Sequence, residues 1–594
     1  MDRSTRMLLL AGWGLLALAQ RVGASNYPFA RLSEEIQALQ RRYPRLIQVS
    51  SIGQSVQGRE LWLITLTDLE AGPPEAKPAL FVAGNLEGHH VSASAMVLGI
   101  ARQLAESWSR SDSVRELLGR RTFYLLPRAN PDGAEQAFGP PRWEQTANLL
   151  PWDEDFDDSV DEDGPEDLNG DGWITQIRVP DPDGDYIADP EDSRVLRRID
   201  RAKGEVGQYK VYLEGIDNDG DGQYNEDGPG GIHLDRNFPH AYPYHQPGAG
   251  RYQLQAPEAR AIVDFLLAHR NVAAVLSFCL HDNLLSPPQS SRQATEARER
   301  EEVSPPPGVR GPRRPRQPAT TVHPEDAVYF QRAAHVFRTM LGAPEKSLLE
   351  LPKPEGAFYE WAYFHYGVPS FATPGWYPSL EETRPSGPDT ARGDGGNQRE
   401  VERRRPTRPV RQSSEASQPS PDLQWLRWLE RCAGGAGFLS WTPFRHPQLG
   451  QVEIGGFLPG ARVNPPDSLL PDLVHRHARF CAELARWLPQ VELDSVTVKP
   501  LAEEVFRLSV RVRNQGYFPT VLAHAAQARA VKPTRIEIET EAQLLSGTRI
   551  TFLDPVPGSR SAKAEWIVRG KKGQSVKITV IAEKAGTVRR VVRL

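Results

Sequence analysis

Ala83-Gly84-Asn85-Leu86-Glu87-Gly88-His89-His90 is the stretch on which the fold turns. An apolar run, residues 78–82, leads into it, and a helix-patterned segment, residues 92–108, leads out. The eight residues therefore read as a strand-to-helix turn, and such turns in α/β folds present side chains at the ligand-binding edge of the sheet. Glu87 and His90 stand three apart, a carboxylate and an imidazole facing one pocket. That pair supplies two of the three protein ligands of an open zinc site. A plain surface loop is the other reading of the same residues.

Working outward, residues 27–45 carry a helical pattern with Leu32, Ile36 and Leu39 on one face. Strand patterns follow at 47–49 and 61–66, around a Gly-containing turn, and at 122–126, before Asn130-Pro131-Asp132-Gly133, a turn by composition. Residues 258–269 read as a helix, and residues 272–280 as a strand closed by His281-Asp282. Further helical patterns occupy 325–341, 422–432 and 466–488. Strands alternating with helices imply a largely parallel sheet covered on both faces. From about residue 491 the texture changes to alternating runs at 508–512, 536–538, 576–581 and 588–594, which predict a β-sandwich of the immunoglobulin kind.

At 594 residues the chain is long enough for two or more domains with large cores. A net charge of −5, from 71 basic and 76 acidic residues, gives no overall field that favours nucleic acid. Three cysteines, Cys279, Cys432 and Cys481, make no disulfide framework. Arg3 and Arg6, the apolar residues 7–19 and the small residues Val22-Gly23-Ala24 before Ser25 predict a secretory signal over residues 1–24, hence a secreted or periplasmic protein. That apolar run is too short for a comfortable membrane span, and no later segment is long and apolar enough to cross a bilayer. Two Pro- and Arg-rich inserts, about 286–322 and 383–421, have the composition of disordered linkers.

Residues 151–229 form an acidic insertion with an internal repeat. Asp153, Asp155 and Asp157 run on to Asp161-Glu162-Asp163-Gly164-Pro165. Asp217, Asp219 and Asp221 run on to Asn225-Glu226-Asp227-Gly228-Pro229. Between the copies stand Asp167, Asn169 and Asp171. Oxygen-bearing side chains at alternating positions match the first half of a calcium loop, so bound Ca²⁺ is an expectation for these nine residues. The twelfth positions, Gly164, Arg178 and Gly228, lack the bidentate Glu of a full loop, and a solvated acidic insertion is the alternative.

The order of motifs over residues 25–490, inserts aside, resembles a zinc metallocarboxypeptidase of the carboxypeptidase A type. It runs from Gly84-Asn85 through Asn130-Pro131-Asp132-Gly133, Arg236-Asn237-Phe238-Pro239 and a strand ending in His281, to Trp361-Ala362-Tyr363 before Gly367-Val368-Pro369-Ser370-Phe371. The resemblance implies a mixed eight-stranded sheet with helices on both faces. It also implies zinc on Glu87, His90 and His281, with the family's His-x-x-Glu exchanged to Glu87-x-x-His90. His233 stands where the family has the Asp that orients its first His, so a Glu87–His233 pair behind the metal is expected. Arg236 matches the Arg that grips a substrate's terminal carboxylate. Asp235 replaces the Asn beside it, and Arg142 or Gln145 matches the Arg that polarises the scissile carbonyl. The general-base position is Pro374, which cannot accept a proton, and the substrate Tyr position is Pro352. Two functions follow from the resemblance: a secreted zinc metallocarboxypeptidase-like protein acting on or binding peptide C-termini, or a non-catalytic pseudo-peptidase that binds peptide, glycan or protein partners in the same cleft.

Overall fold

In chain order the first strands are Ile47–Gln54 (β1), Glu60–Leu66 (β2), Ala79–Gly84 (β3), Thr122–Leu126 (β4), Gln176–Pro180 (β5), Tyr186–Ala188 (β6), Leu196–Arg198 (β7), Tyr209–Leu213 (β8), Val272–Phe278 (β9), Ser370–Thr373 (β10), Phe438–His446 (β11) and Gly450–Phe457 (β12). They come from a computed structural model, which describes residues 27–152, 159–220, 222–225, 228–290, 319–380 and 419–594. Residues 1–24, Asp153, Asp155, Asp157, Asp221 and most of both Arg-rich inserts lie outside the described residues.

β3 is central in a six-stranded sheet of order β1-β2-β4-β3-β9-β10. β4, β3, β9 and β10 run parallel, while β2 is antiparallel to both β1 and β4. Side chains alternate across a strand, and β3 shows the result. Leu80 and Val82 join one apolar cluster with helices Phe29–Arg42, Val91–Trp108, Ala327–Leu341 and Leu470–Trp487. Phe81 and Ala83 join another with helix Pro257–Ala268 and the Phe358–Tyr366 segment. A strand buried on both faces reads as an unbroken apolar run, which is why 78–82 is legible in the sequence.

The expected eight strands are six, and a second sheet, not expected from the sequence, is built on the acidic insertion. β5 to β8, all within residues 151–229, pair with the β11–β12 hairpin in a second six-stranded sheet of order β11-β12-β5-β8-β6-β7. All its pairings are antiparallel. The insertion is therefore a built element and not only a run of acidic loops. Its two repeat copies are tied together by buried Asp163, whose carboxylate accepts N–H groups from Asn218 (3.1 Å) and Asn225 (2.7 Å).

Beyond residue 490 lie two four-stranded antiparallel sheets. One contains Val491–Ala502, Val505–Asn514, Ser561–Arg569 and Gln543–Ser546; the other contains Ile550–Phe552, Arg535–Glu539, Ser575–Ala582 and Gly586–Arg593. Leu508, Val510 and Trp566 of the first meet Ile536, Ile578 and Val580 of the second in one core. Asp326 joins this region to the larger one. Its Oδ1 accepts the Ala523 N–H (2.9 Å), and its Oδ2 accepts the His524 N–H (3.0 Å) and the Tyr363 hydroxyl (2.9 Å).

Glu258, in the first turn of its helix, is fully buried, and its carboxylate accepts from Asn148 Nδ2 (3.0 Å) and the Val56 N–H (3.3 Å). Burial, with the nearby Asp132 charge adding, raises it from the ordinary 4.5 to about 7. A carboxyl whose folded value is raised contributes stability that is complete below the unfolded value and lost as pH rises through the folded one. Denaturant unfolding at pH 5 and pH 8 is expected to show the wild type losing up to about 3 kcal/mol between them at this site, with Glu258→Gln free of that loss.

Candidate metal centre and cleft

β3 ends at Gly84, and the chain reverses on Asn85, which holds a left-handed φ of 59°. Asparagine tolerates that region better than most residues. The buried Asn85 Nδ2 donates to the carbonyls of Glu87 (2.8 Å), Gly88 (2.9 Å) and His90 (3.1 Å), drawing the loop into a tight cup. The His90 N–H closes it by donating to Glu87 O (3.0 Å), and helix Val91–Trp108 starts there. Gly88 lies against the backbone of Gly133 and Gln145, where a Cβ would overlap main-chain atoms.

This cup delivers Glu87 to a buried cluster that also holds Asp235, Cys279 and His281. One possible ligand atom from each lies within 4.8 Å of the others. Each side chain has a backbone anchor or a partner of its own. Glu87 Oε1 accepts the Leu280 N–H at 2.9 Å. Asp235 sits on the 3₁₀ turn Leu234–Arg236; its Oδ1 accepts the Phe358 N–H at 2.6 Å, and its Oδ2 meets His281 Nδ1 at 2.9 Å. His281 Nε2 faces Lys353 O at 3.3 Å, and a carbonyl only accepts, so Nε2 carries the proton there. Glu87 Oε2 is buried with no hydrogen-bond partner.

The charges in this space are strongly coupled. Burial, then the Asp235 carboxylate, raises Glu87 to about 7, against the pull of His281. Burial opposes a charge on His281, but Asp235 and Glu87 outweigh it and raise the imidazole to about 9. Burial, then Asp235 and Glu87, pushes the Cys279 thiol well above its ordinary value. A set of imidazole, thiol and two carboxylates suits Zn²⁺, and the orphaned Glu87 oxygen is the kind of atom a cation satisfies. The residues present therefore fit a zinc ion.

His90 is not in this cluster. It is fully buried, and its Nε2–H donates to Pro374 O at 3.1 Å, just past the end of β10. Burial, then the neighbouring His89, holds it down to about 3. The expected Glu87–His90–His281 triad is thus replaced by Glu87 and His281 with Asp235 and Cys279. The expected Glu87–His233 pair is not formed either: Glu87 takes the Leu280 N–H, while His233 packs on Gly248 and faces the cleft. Burial, then the nearby Arg236, lowers His233 to about 4. The sequence held a signal for Cys279 that the motif reading passed over. It stands two residues before His281 at a strand exit, and alternate residues share a face.

A cleft of about 830 Å³ opens over the cluster, lined by Glu87, His233, Asp235, Arg236 and His281 on one side. The Arg236 guanidinium has no ion pair or hydrogen bond among the described residues. The insertion also lines the cleft, through Tyr186 of β6 and Leu196, Arg197 and Arg198 of β7, as does Trp425 of helix Pro421–Ala433. Arg142 is not part of the cleft. Its guanidinium lies over the Trp173 ring at 4.9 Å, and Gln145 Nε2 donates to Pro229 O.

The calcium expectation finds no support. Among the described residues the cluster around Glu87 is the only group of three or more His, Cys, Asp or Glu side chains placed to hold a metal. Asp167 instead caps its own turn, accepting the N–H groups of Gly170 (2.8 Å) and Gly172 (2.8 Å). Asp217 does the same for Gly220 (2.5 Å) and Gly222 (3.1 Å). Asn169 and Asp171 hydrogen-bond each other at 3.1 Å.

Residues 32–154 match the zinc carboxypeptidase family, and residues 490–593 match a domain of unknown function, DUF8731. Carboxypeptidase D of Anas platyrhynchos is 31% identical over 125 residues, which cover 21% of this chain and 9% of that protein. A zinc carboxypeptidase of Saccharothrix mutabilis subsp. capreolus is 28% identical over 123 residues, covering 19% of this chain and 28% of the relative. The chain thus spans less than a third of the length of these curated relatives. Among solved structures, thrombin-activatable fibrinolysis inhibitor aligns at a TM-score of 0.33 with 14% identity, over 59% of this chain and 65% of that one. The metallo-carboxypeptidase of Burkholderia cenocepacia aligns at 0.17 with 27% identity, over 20% and 31%. These sequence matches support a metallocarboxypeptidase relationship for the segment they cover, residues 32–154. The matched segment includes Glu87 and His90, whereas Asp235, Cys279 and His281 lie beyond it.

Because backbone atoms block a side chain at Gly88, Gly88→Ala is expected to destabilise the fold by about 1–3 kcal/mol. The check is a lowered unfolding midpoint with an unchanged denaturant slope.

Proposed function

We propose that the chain binds peptide C-termini in this cleft as a zinc metallocarboxypeptidase-like protein. The observation that carries the reading is Arg236, a cation with no partner among the described residues, facing the cleft beside the Glu87–His281 cluster. A planar guanidinium takes a carboxylate through two parallel hydrogen bonds. Asp235, at the position next to it, is turned away to His281 and the Phe358 N–H, so its charge is engaged and does not oppose an incoming carboxylate. His233 stays neutral on the same wall and adds no competing charge. Zinc, the metal the family suggests, would supply a Lewis acid only where one coordination position stays open. Hydrolysis also needs a group that takes a proton from water, and Pro374 offers none. Binding without turnover, the pseudo-peptidase form, rests on that one position.

The leader-like residues 1–24 support export, and no helix among the described residues is long and apolar enough to cross a membrane. We read the two C-terminal sheets as a β-sandwich of the immunoglobulin kind that orients the protein or attaches it to a partner, a role assigned by analogy of architecture alone.

Calorimetric titration with peptides differing only in a free or amidated C-terminus tests the reading. The free form is expected to bind more tightly. Arg236→Ala is expected to weaken only that form, by about 10–100-fold, as for a lost charged hydrogen bond. Equal affinity for both forms overturns C-terminal recognition. Chelator-sensitive release of the terminal residue would assign hydrolysis, and binding without release would assign the non-catalytic form.

A further inference from the structure

The family's zinc needs three protein ligands and an open position; the cluster here offers four. We infer that Glu87, Asp235, Cys279 and His281 together form a closed, thiolate-containing zinc site whose role is structural. The inference rests on the metallocarboxypeptidase reading only for the choice of zinc.

The argument is one of spare atoms. Each polar ligand has one atom tied to the backbone and one left for a shared centre. Glu87 Oε1 is held by the Leu280 N–H, leaving the partnerless Oε2. Asp235 Oδ1 is held by the Phe358 N–H, leaving Oδ2. His281 Nε2–H is held by Lys353 O, leaving Nδ1. Metal-bound imidazoles commonly donate their other N–H to a backbone carbonyl in this way, which fixes ring and tautomer. The Oδ2–Nδ1 contact of 2.9 Å shares a proton in the absence of metal, and a cation can take that proton's place. Cys279 Sγ contributes the fourth donor, with only a 3.5 Å contact to Ser277 Oγ to give up. Binding would displace to solvent the thiol proton, the proton shared between His281 Nδ1 and Asp235 Oδ2, and any proton on Glu87.

The closed site accounts for two departures from the family pattern. A saturated zinc holds no water to be activated, so no base is needed at Pro374. His90 leaves the site and serves instead as a buried donor to the Pro374 carbonyl, which fastens the Glu87 cup to the end of β10. With two carboxylates, one thiolate and neutral imidazole around a dication, the site carries one negative charge.

The test needs no peptide and so succeeds or fails separately from C-terminal recognition. Full-length protein, stripped with chelator and reloaded, is analysed for zinc content. The same protein loaded with Co²⁺ is examined for a thiolate-to-cobalt charge-transfer band in the near ultraviolet. One zinc per chain and a charge-transfer band are expected. Cys279→Ser should abolish the band, and Glu87→Gln should weaken zinc binding by about 100-fold or more, beyond the 10–100-fold typical of outer partners. His90→Gln, which keeps a donor for Pro374 O, should preserve both zinc and band, as should Cys432→Ser with Cys481→Ser. If Cys279→Ser fails to fold, the wild-type band and its retention in the Cys432/Cys481 variant still decide the assignment. A reloaded wild type with no band, a band that survives Cys279→Ser, or loss of zinc in folded His90→Gln would overturn it.

Discussion

Two buried carboxylates, a thiol and an imidazole crowd together at the floor of the cleft, and the surrounding structure is arranged around that electrostatic difficulty. Burying a carboxylate without a partner is costly. Asp235 meets the cost with His281 and the Phe358 N–H; Glu87 meets it in part with the Leu280 N–H. These bonds bring three distant parts of the chain to one sheet edge: the cup after β3, the 3₁₀ turn at Leu234–Arg236 and the exit of β9. The Asn85 amide, gripping three carbonyls within the cup, fixes the shape of the first part. Because each anchor is a main-chain group, the cluster is as rigid as the elements that carry it.

The parts legible in the sequence were those where one periodicity rules. The run at 78–82 is apolar on both faces, and the following segment switches to helical spacing, so the central β–turn–α unit was readable without coordinates. The second sheet was not. β6 and β7 are three residues each, Tyr-Ile-Ala and Leu-Arg-Arg, mostly half-buried, and nothing in them alternates strongly enough to outweigh the acidic loops around them. The β11–β12 hairpin was missed for a related reason: its strands bury only a few side chains, chiefly Val452, Ile454 and His446.

Site residues divided along the same line. Glu87 and His281 were legible as candidates because each follows a readable strand, and the structure places both in the buried cluster. His90 was assigned to the metal from spacing to Glu87, but spacing gives no direction. The helix that starts at Val91 turns its ring toward Pro374 instead. Cys279 and Asp235 joined the cluster through tertiary packing, with Asp235 separated from His281 by 46 positions. A cleft wall supplied by the acidic insertion follows equally from a long-range pairing, that of β5 with β12.

Asp326 gives the boundary near residue 490 a meaning that composition hides. Two of its three donors are main-chain groups of the C-terminal region and the third is Tyr363 of the larger one, so one side chain is stitched into both bodies at once. A seam in texture is therefore not a seam in mechanics. Without the C-terminal module, Asp326, 1% exposed, would keep only the Tyr363 hydroxyl of its three donors, so the integrity of the larger body is coupled to a module none of whose described residues lines the cleft.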